Sequence, residues 1–224
     1  MSKKLHAAAV AHFHRARKPE QIAVRREAIL AAAAELFDSH GPDGAGLNAI
    51  AAHAGFTKSN VYRYFESREA VLLSLFVGDF EALVDRLERV LQSVRPGDVA
   101  ALARVVADEF TEHPRFCRLL SILATVLEAN VSEELIVAMK RATKALSQRV
   151  ALALHRTLPS VSVEDCGWVA SMIATLVAGL WPTAHPSPAA ARVAAMPEFA
   201  GLKPVAERDL ALAILVMFRG ISRT

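Results

Sequence analysis

The stretch from Leu47 to Phe65, LNAIAAHAGFTKSNVYRYF, leaves the chain little local freedom. Leu47, Ile50, Ala51 and Ala54 recur at i, i+3, i+4 and i+7, the spacing of one buried face on a short helix. Gly55 can end that helix in the left-handed conformation. Thr57 predicts a new N-cap, its hydroxyl accepting from the N–H of Ser59 or Asn60. A second helix is then predicted from about Lys58 to Phe65, with Val61 and Phe65 turned inward. Its outer face holds Lys58, Ser59, Asn60, Tyr62, Arg63 and Tyr64, which offer donors and positive charge but no acid.

Two short helices around a glycine turn, the second with such a face, read as a DNA-reading helix-turn-helix. Asn pairs bidentately with adenine, and Arg or Lys with guanine, when they lie in a major groove. Tyrosine hydroxyls on the flanks suit phosphates, which orient a helix without reading sequence. An ordinary helical pair with a polar outer side would show the same bare pattern, so the residues that follow matter. Ser67 caps a further helix that opens Arg68-Glu69-Ala70-Val71-Leu72. A cation in a first helical turn opposes the helix dipole. That small cost is offset where the cation faces a phosphate at the same helix end.

From Arg25 to Leu75 the chain resembles the DNA-binding domain of the tetracycline-repressor (TetR) family of regulators. The resemblance is carried by Ile29, Ala33, Leu36-Phe37, Gly41, Ile50-Ala51 and Ala54-Gly55-Phe56-Thr57. It continues through Val61-Tyr62, Tyr64-Phe65 and Ser67-Arg68-Glu69, and Y-x-Y-F followed by S-R-E is a demanding match. The resemblance implies base-facing positions for Lys58, Ser59 and Tyr62, phosphate contacts for Thr57, Tyr64 and Arg68, and a possible base contact for Asn48. Two positions depart from the family pattern. Gly46 and Leu47 stand where a threonine usually serves as cap and phosphate ligand, so one contact is expected to be missing. Arg68 replaces the commoner lysine and keeps the charge.

The remainder carries no comparable signature. With 224 residues, 53% of them hydrophobic, and no sustained period of two, an all-α chain is expected. Its parts are a basic arm over residues 1–20, a three-helix helix-turn-helix domain over 21–68, and a helical ligand-binding and dimerisation domain over 69–224. The net charge of +3 is uneven: up to residue 26, seven basic residues oppose Glu20 alone. Such a block can follow a minor groove or the phosphate backbone, and a solvated tail is the alternative. Arg15 to Arg26, which lead into the first helix, have the better claim on DNA.

That first helix is expected from Pro19 or Ile22 to Ser39, with Ile22, Ile29, Ala33, Leu36 and Phe37 inward and Gly41-Pro42 as its end. A rod follows from Ser67 to Val94, roughly 40 Å at about 1.5 Å per residue. Further helices are expected over Val99–His113, Pro114 to Glu128, Ser132 to Leu158, Ser162 to Pro182 and Val205 to Ser222. Trp168 to Trp181 contains no charge but is too short for a membrane span, which needs about 20 residues. By resemblance the last two long helices form a homodimer seam with their symmetry mates.

A ligand pocket is expected by resemblance between Val99 and Trp181, lined by Phe110, Phe116, Leu123, Met139, Trp168 and Met172. Core packing is the alternative for such residues at helical spacing. Glu128 and Asn130 at a helix end suggest capping before pocket shaping. His113, His155 and His185 are scattered, so no metal is expected, and no nucleophile elbow or phosphate-cradling glycine loop is present. Cys117 and Cys166 lack metal spacing and are expected as buried or free thiols, with a disulfide between them left open. No signal peptide pattern occurs, and a reducing cytoplasm fits. The expected partners are a double-stranded DNA operator, a small-molecule effector and a second copy of the chain, with no cofactor, no membrane and no enzymatic activity. A DNA-organising protein without an effector is the alternative.

Overall fold

The computed structural model describes residues 19–199 and 201–221. Apart from Pro19 and Glu20, the expected basic arm lies outside the described residues. Every regular element among the described residues is helical. The chain forms two compact units, one ending at Val71 and one beginning at Leu72. The boundary expected at 68/69 and this division both fall inside one helix.

In the first unit, α1 spans Pro19–Gly44 with a break at Gly41 (φ 71°, ψ −170°), a backbone conformation that suits glycine. Ile29, Ala33 and Phe37 are fully buried on its inner stripe. Ile22 is a correction: at 42% exposure it lies on the helix before the stretch covered by core residues. Helix α2, Leu47–His53, buries Ile50 and Ala51 and has at its N-cap Gly46, which makes no side-chain cap bond. Its C-terminus closes by a Schellman pair, Phe56 N–H to Ala51 O at 2.8 Å and Gly55 N–H to Ala52 O at 3.2 Å, with Gly55 at φ 72°.

Helix α3 spans only Lys58–Val61, shorter than the Lys58 to Phe65 expected. Beyond Val61 two bonds tighten, Arg63 N–H to Asn60 O and Tyr64 N–H to Val61 O, three residues back, before Phe65 N–H donates four back to Val61 O. The tightening has a tertiary partner, since the Arg26 guanidinium donates to Tyr64 O at 3.0 Å and lies 4.3 Å from the centre of the Phe65 ring. Val61 and Phe65 are nonetheless both buried, as the spacing requires.

Helix α4, Arg68–Leu91, begins with Ser67 Oγ accepting from the Ala70 N–H at 3.0 Å and carries most of its length into the second unit. There follow α5, Val99–Glu112, capped by Asp98, and α6, Pro114–Ile122. Next come α7, Glu133–Thr157, and α8, Val163–Ala184, capped by Ser132 and Ser162. The short α9, Pro188–Ala194, precedes α10, Ala206–Ile221. Helix α8 packs on α6, α7 and α10, and α10 packs on α5. Arginine–carboxylate bridges tie α4 into this unit: Arg86 to Glu109 at 3.0 Å, Arg115 to Asp79 twice at 2.7 Å, and Arg149 to both Asp85 and Glu88 at 2.7 Å. Such fork-shaped pairs fix geometry as well as adding energy.

The helix expected from Pro114 to Glu128 does not hold one pitch. At Ile122 (φ −109°, ψ 3°) it leaves the α basin, widens to a π-turn over Leu123–Leu127, and tightens to a 3-10 turn over Glu128–Asn130. The Asn130 amide closes this end by donating to Val126 O at 2.8 Å. Hydrophobic spacing does not encode pitch, so this lies beyond what the periodicity could show. At the other end of the unit, α8 runs two residues past Pro182, with the His185 N–H donating to Trp181 O at 3.0 Å.

Both cysteines are free and buried. Burial pushes the Cys117 thiol up to about 12, and burial with the nearby Asp165 charge pushes Cys166 up to about 11. Because the thiolate is the reactive form, neither should react with a maleimide at around pH 8 until the fold is lost. Stoichiometric labelling of the native chain, followed by mass spectrometry, is the observation that would contradict this.

Candidate functional site

The first unit presents one polar surface built from the turn and the two elements around it. Thr57 anchors it: its Oγ1 accepts from the Asn60 N–H at 3.3 Å and lies 3.1 Å from Ser59 Oγ. With that cap in place the short helix directs Lys58, Ser59, Tyr62 and Arg63 outward, all four exposed, while Asn60 is half-buried. Lys58 Nζ sits 5.8 Å from the centre of the Tyr62 ring, a loose cation–π contact that a DNA base edge or phosphate can replace. Asn48, on α2, is exposed.

The expected phosphate-holding residues are differently placed. Tyr64 is half-buried and its hydroxyl accepts a long bond from Arg25 Nη1 at 3.4 Å. Arg25 and Arg26, read from sequence as basic residues with a claim on DNA, are half-buried against this segment instead. Arg68 bonds Glu69 Oε1 at 2.9 Å and Pro42 O at 3.3 Å, and its side chain is 26% exposed. It therefore holds the Gly41 loop to the start of α4. These two bonds use only two of the five guanidinium N–H donors, so a phosphate contact by Arg68 can add to them. Sequence spacing does not show the Pro42 and Arg25 contacts, because these partners lie 26 and 39 residues away in the chain.

In the second unit, α4 to α8 with the π-turn enclose a cavity of about 540 Å³. That size lies within the usual range of small-molecule sites. Phe110, Phe116, Leu123 and Met139 line it, four of the six residues expected there. Trp168 and Met172 do not: Trp168 is 54% exposed on the outer face of α8, and Met172 is half-buried beside it. The face of α8 on the cavity carries Gly167, Ala170, Ala174 and Ala178 at three- and four-residue spacing, flanked by Ser171, Ile173 and Thr175. That run of small residues was a legible signal for close approach to an empty space. Phe76 and Phe80 on α4 also face the cavity, in a near-parallel set with Phe116 at 5.4 Å from each. Glu128 lines it too, paired with Lys140 at 2.6 Å, a contact between separate elements with no sequence signature.

The three scattered histidines each use Nδ1 against a backbone carbonyl: His113 with Glu109 O, His155 with Val161 O, and His185 with Trp181 O. A carbonyl only accepts, so in each ring that nitrogen carries the proton.

Comparisons with known proteins cover both units. Residues 77–224 match the family described as "Tetracyclin repressor-like, C-terminal domain", and residues 29–75 match "Bacterial regulatory proteins, tetR family". A 76-residue segment is 38% identical to the HTH-type transcriptional regulator Rv1816 of Mycobacterium tuberculosis. That segment makes up 32% of each chain, so the match covers about a third of the curated relative's length. Among solved structures, a transcriptional regulator from Rhodococcus sp. Rha1 shares 20% identity at a TM-score of 0.55, over 88% of this chain and 97% of that one. The regulator FadR from Bacillus subtilis, solved in complex with stearoyl-CoA, shares 16% identity at a TM-score of 0.51, over 85% of this chain and 96% of that one. At such identities these structures speak to the fold alone.

Proposed function

This chain belongs to the TetR family of bacterial DNA-binding transcriptional regulators, and from that premise we propose that it is a ligand-responsive repressor binding a palindromic operator as a homodimer. The observation that carries the proposal is the acid-free exposed surface of Lys58, Ser59, Tyr62 and Arg63, oriented by the Thr57 cap and the Gly55 turn. A two-fold dimer would set two such surfaces into successive major grooves about 34–36 Å apart or somewhat more. The dimer itself is supported by apolar residues left open on two neighbouring helices: Trp168 on α8, and Leu212 and Val216 on α10. Helix α8 is long and apolar enough to cross a membrane by composition, but its packing against three helices favours the protein seam.

The effector site we assign is the α4–α8 cavity. A ligand bound there releases DNA only if it binds more tightly to the arrangement in which the two reading surfaces are wrongly spaced. Helix α4 is the covalent link between cavity wall and reading unit, since Phe76 and Phe80 lie on the same helix as Arg68. We place the protein in the cytoplasm, with its DNA.

The test is selection of binding sites from a randomised duplex pool at two salt concentrations. Recovery of a palindrome with spaced half-sites supports the regulator. Binding that only fades with salt and yields no motif points to the DNA-organising alternative, in which phosphate attraction is all there is. With the operator known, Lys58→Ala and Arg63→Ala should each relax preference at one base pair, a loss of about 1–3 kcal/mol there. Arg68→Ala should instead weaken all duplexes alike and flatten the salt slope. The same pattern for all three variants in a competition assay would refute the division between reading and anchoring.

A further inference from the structure

The chemistry of the cavity wall narrows the class of ligand, on the reading just given that this cavity is the effector site. Three charged side chains line it: Glu88, Glu128 and Lys140. Glu88 is committed, its two oxygens held by Arg149 at 3.2 and 2.7 Å. That leaves the Glu128–Lys140 pair, 2.6 Å apart and unequal in its surroundings: the Lys140 side chain is 58% exposed, that of Glu128 only 21%.

The inequality decides which partner a ligand can replace. Lys140 sits on a flexible four-carbon stem and can return its ammonium to water at little cost. Glu128 is set in the wall after the π-turn and needs a positive partner where it is. An incoming carboxylate has to share the Lys140 ammonium with Glu128 and lie beside its like charge. An incoming cation meets neither difficulty.

The apolar wall accounts for the lipophilic part of the ligand. Phe76, Phe80, Phe110 and Phe116 form one aromatic set with centroid separations of 5.4 to 6.3 Å, and all four line the cavity. These rings offer a large apolar surface to a hydrocarbon body whose charged head is held elsewhere on the wall, at Glu128. Opposite them the small-residue stripe of α8 leaves room for an apolar body. We infer that the cavity selects a lipophilic cation, a protonated amine or quaternary ammonium compound, whose charge replaces the Lys140 ammonium on Glu128 and whose body lies against the phenylalanine set.

The test holds the apolar body constant and changes only the head. Decyltrimethylammonium, decanol and decanoate, each below its micelle concentration, are titrated calorimetrically into the full-length chain. The cation should bind on the order of tenfold tighter than decanol, with decanoate weakest. Glu128→Gln should bring the cation down to the level of decanol, while Lys140→Gln leaves its binding unchanged or tighter. Preference for decanoate that is lost in Lys140→Gln overturns the inference in favour of an anionic ligand. Equal affinities that ignore Glu128→Gln overturn it as well.

Ala174→Phe, which fills the cavity from α8, separates this from the underlying reading, with Ala178→Leu as a milder second variant should the first not fold. If these variants block decanol or decanoate while the cation shows no advantage, the cavity stands as a ligand site and the charge preference falls. If no probe binds, or binding survives both fillers, cavity and charge preference fall together.

Discussion

Phe37→Ala should abolish operator binding while leaving most of the chain's helix intact. Phe37 is 0% exposed and shares the core of the first unit with Ile29, Ala33, Ile50 and Val61, each also 0% exposed. Truncating a buried phenylalanine costs about 3–5 kcal/mol, part of it the lost transfer energy and part the cavity left behind. Small units bury a smaller share of their surface and hold only a few kcal/mol in reserve. A loss of that size should therefore leave the reading unit largely unfolded at ambient temperature. Operator affinity should drop by roughly 100-fold or more, since the unfolded unit must fold before it can bind. Far-UV circular dichroism should lose only the share contributed by α1 to α3, and the second unit should keep its own melting transition. Wild-type affinity in this variant would mean that the core described here is not what holds the reading surface.

The double substitution Leu212→Arg with Val216→Arg should convert the proposed homodimer to monomer. These residues are 58% and 61% exposed, one turn apart on α10, and α10 packs on α8, which exposes Trp168 at 54%. Covering a large aliphatic side chain is worth about 1.5–3 kcal/mol when it goes from fully exposed to buried. In a two-fold interface each residue contributes twice, so the substitutions remove four contacts and place four cations on the seam. Sedimentation velocity at micromolar concentration should show a single monomeric species, and operator affinity should fall because only one half-site is engaged per protein. The paired Leu212→Ala and Val216→Ala changes should weaken the dimer less, since they add no charge. A variant that remains dimeric with unchanged affinity would locate the seam on another face.

How much of this was legible depends on the distance over which each feature is decided. The Thr57 cap, the left-handed Gly55, and the inward Val61 and Phe65 are settled within a turn or two of chain, and all four stand in the structure as the spacing required. The uncapped start of α2 at Gly46 is of the same kind. The helix expected to reach Phe65 ends at Val61, and the turn beyond it carries a partner from 38 positions earlier, the Arg26 guanidinium that donates to Tyr64 O. Arg68 likewise looked like a solvent- or phosphate-facing cation until the fold placed Pro42 O beside it.

The second unit shows the same division. Helix starts at Asp98, Ser132 and Ser162 follow from local capping chemistry, and so were readable. The switch of pitch at Ile122 was not, because apolar residues at three- and four-residue spacing satisfy an α-helix and a π-turn alike. Trp168 and Met172 were expected in the pocket on residue type, whereas the helix phase of α8 gives that wall to Ile173 and to small residues, Gly167, Ala170, Ser171, Ala174, Thr175 and Ala178.

By itself, then, the sequence determined that the chain is all-helical, where its helices start, and that it carries a reading turn with a basic, acid-free face. Those properties depend on periodicity and on hydrogen bonds closed within a few residues, which any chain of this sequence must satisfy. The tertiary structure alone decided which arginines pack and which stay outward, and where an empty volume opens. It also decided that Glu128 and Lys140 meet at the wall of that volume with unequal access to water. Each of these depends on groups from distant segments competing for the same space and the same partners, and that competition is resolved only when the helices pack.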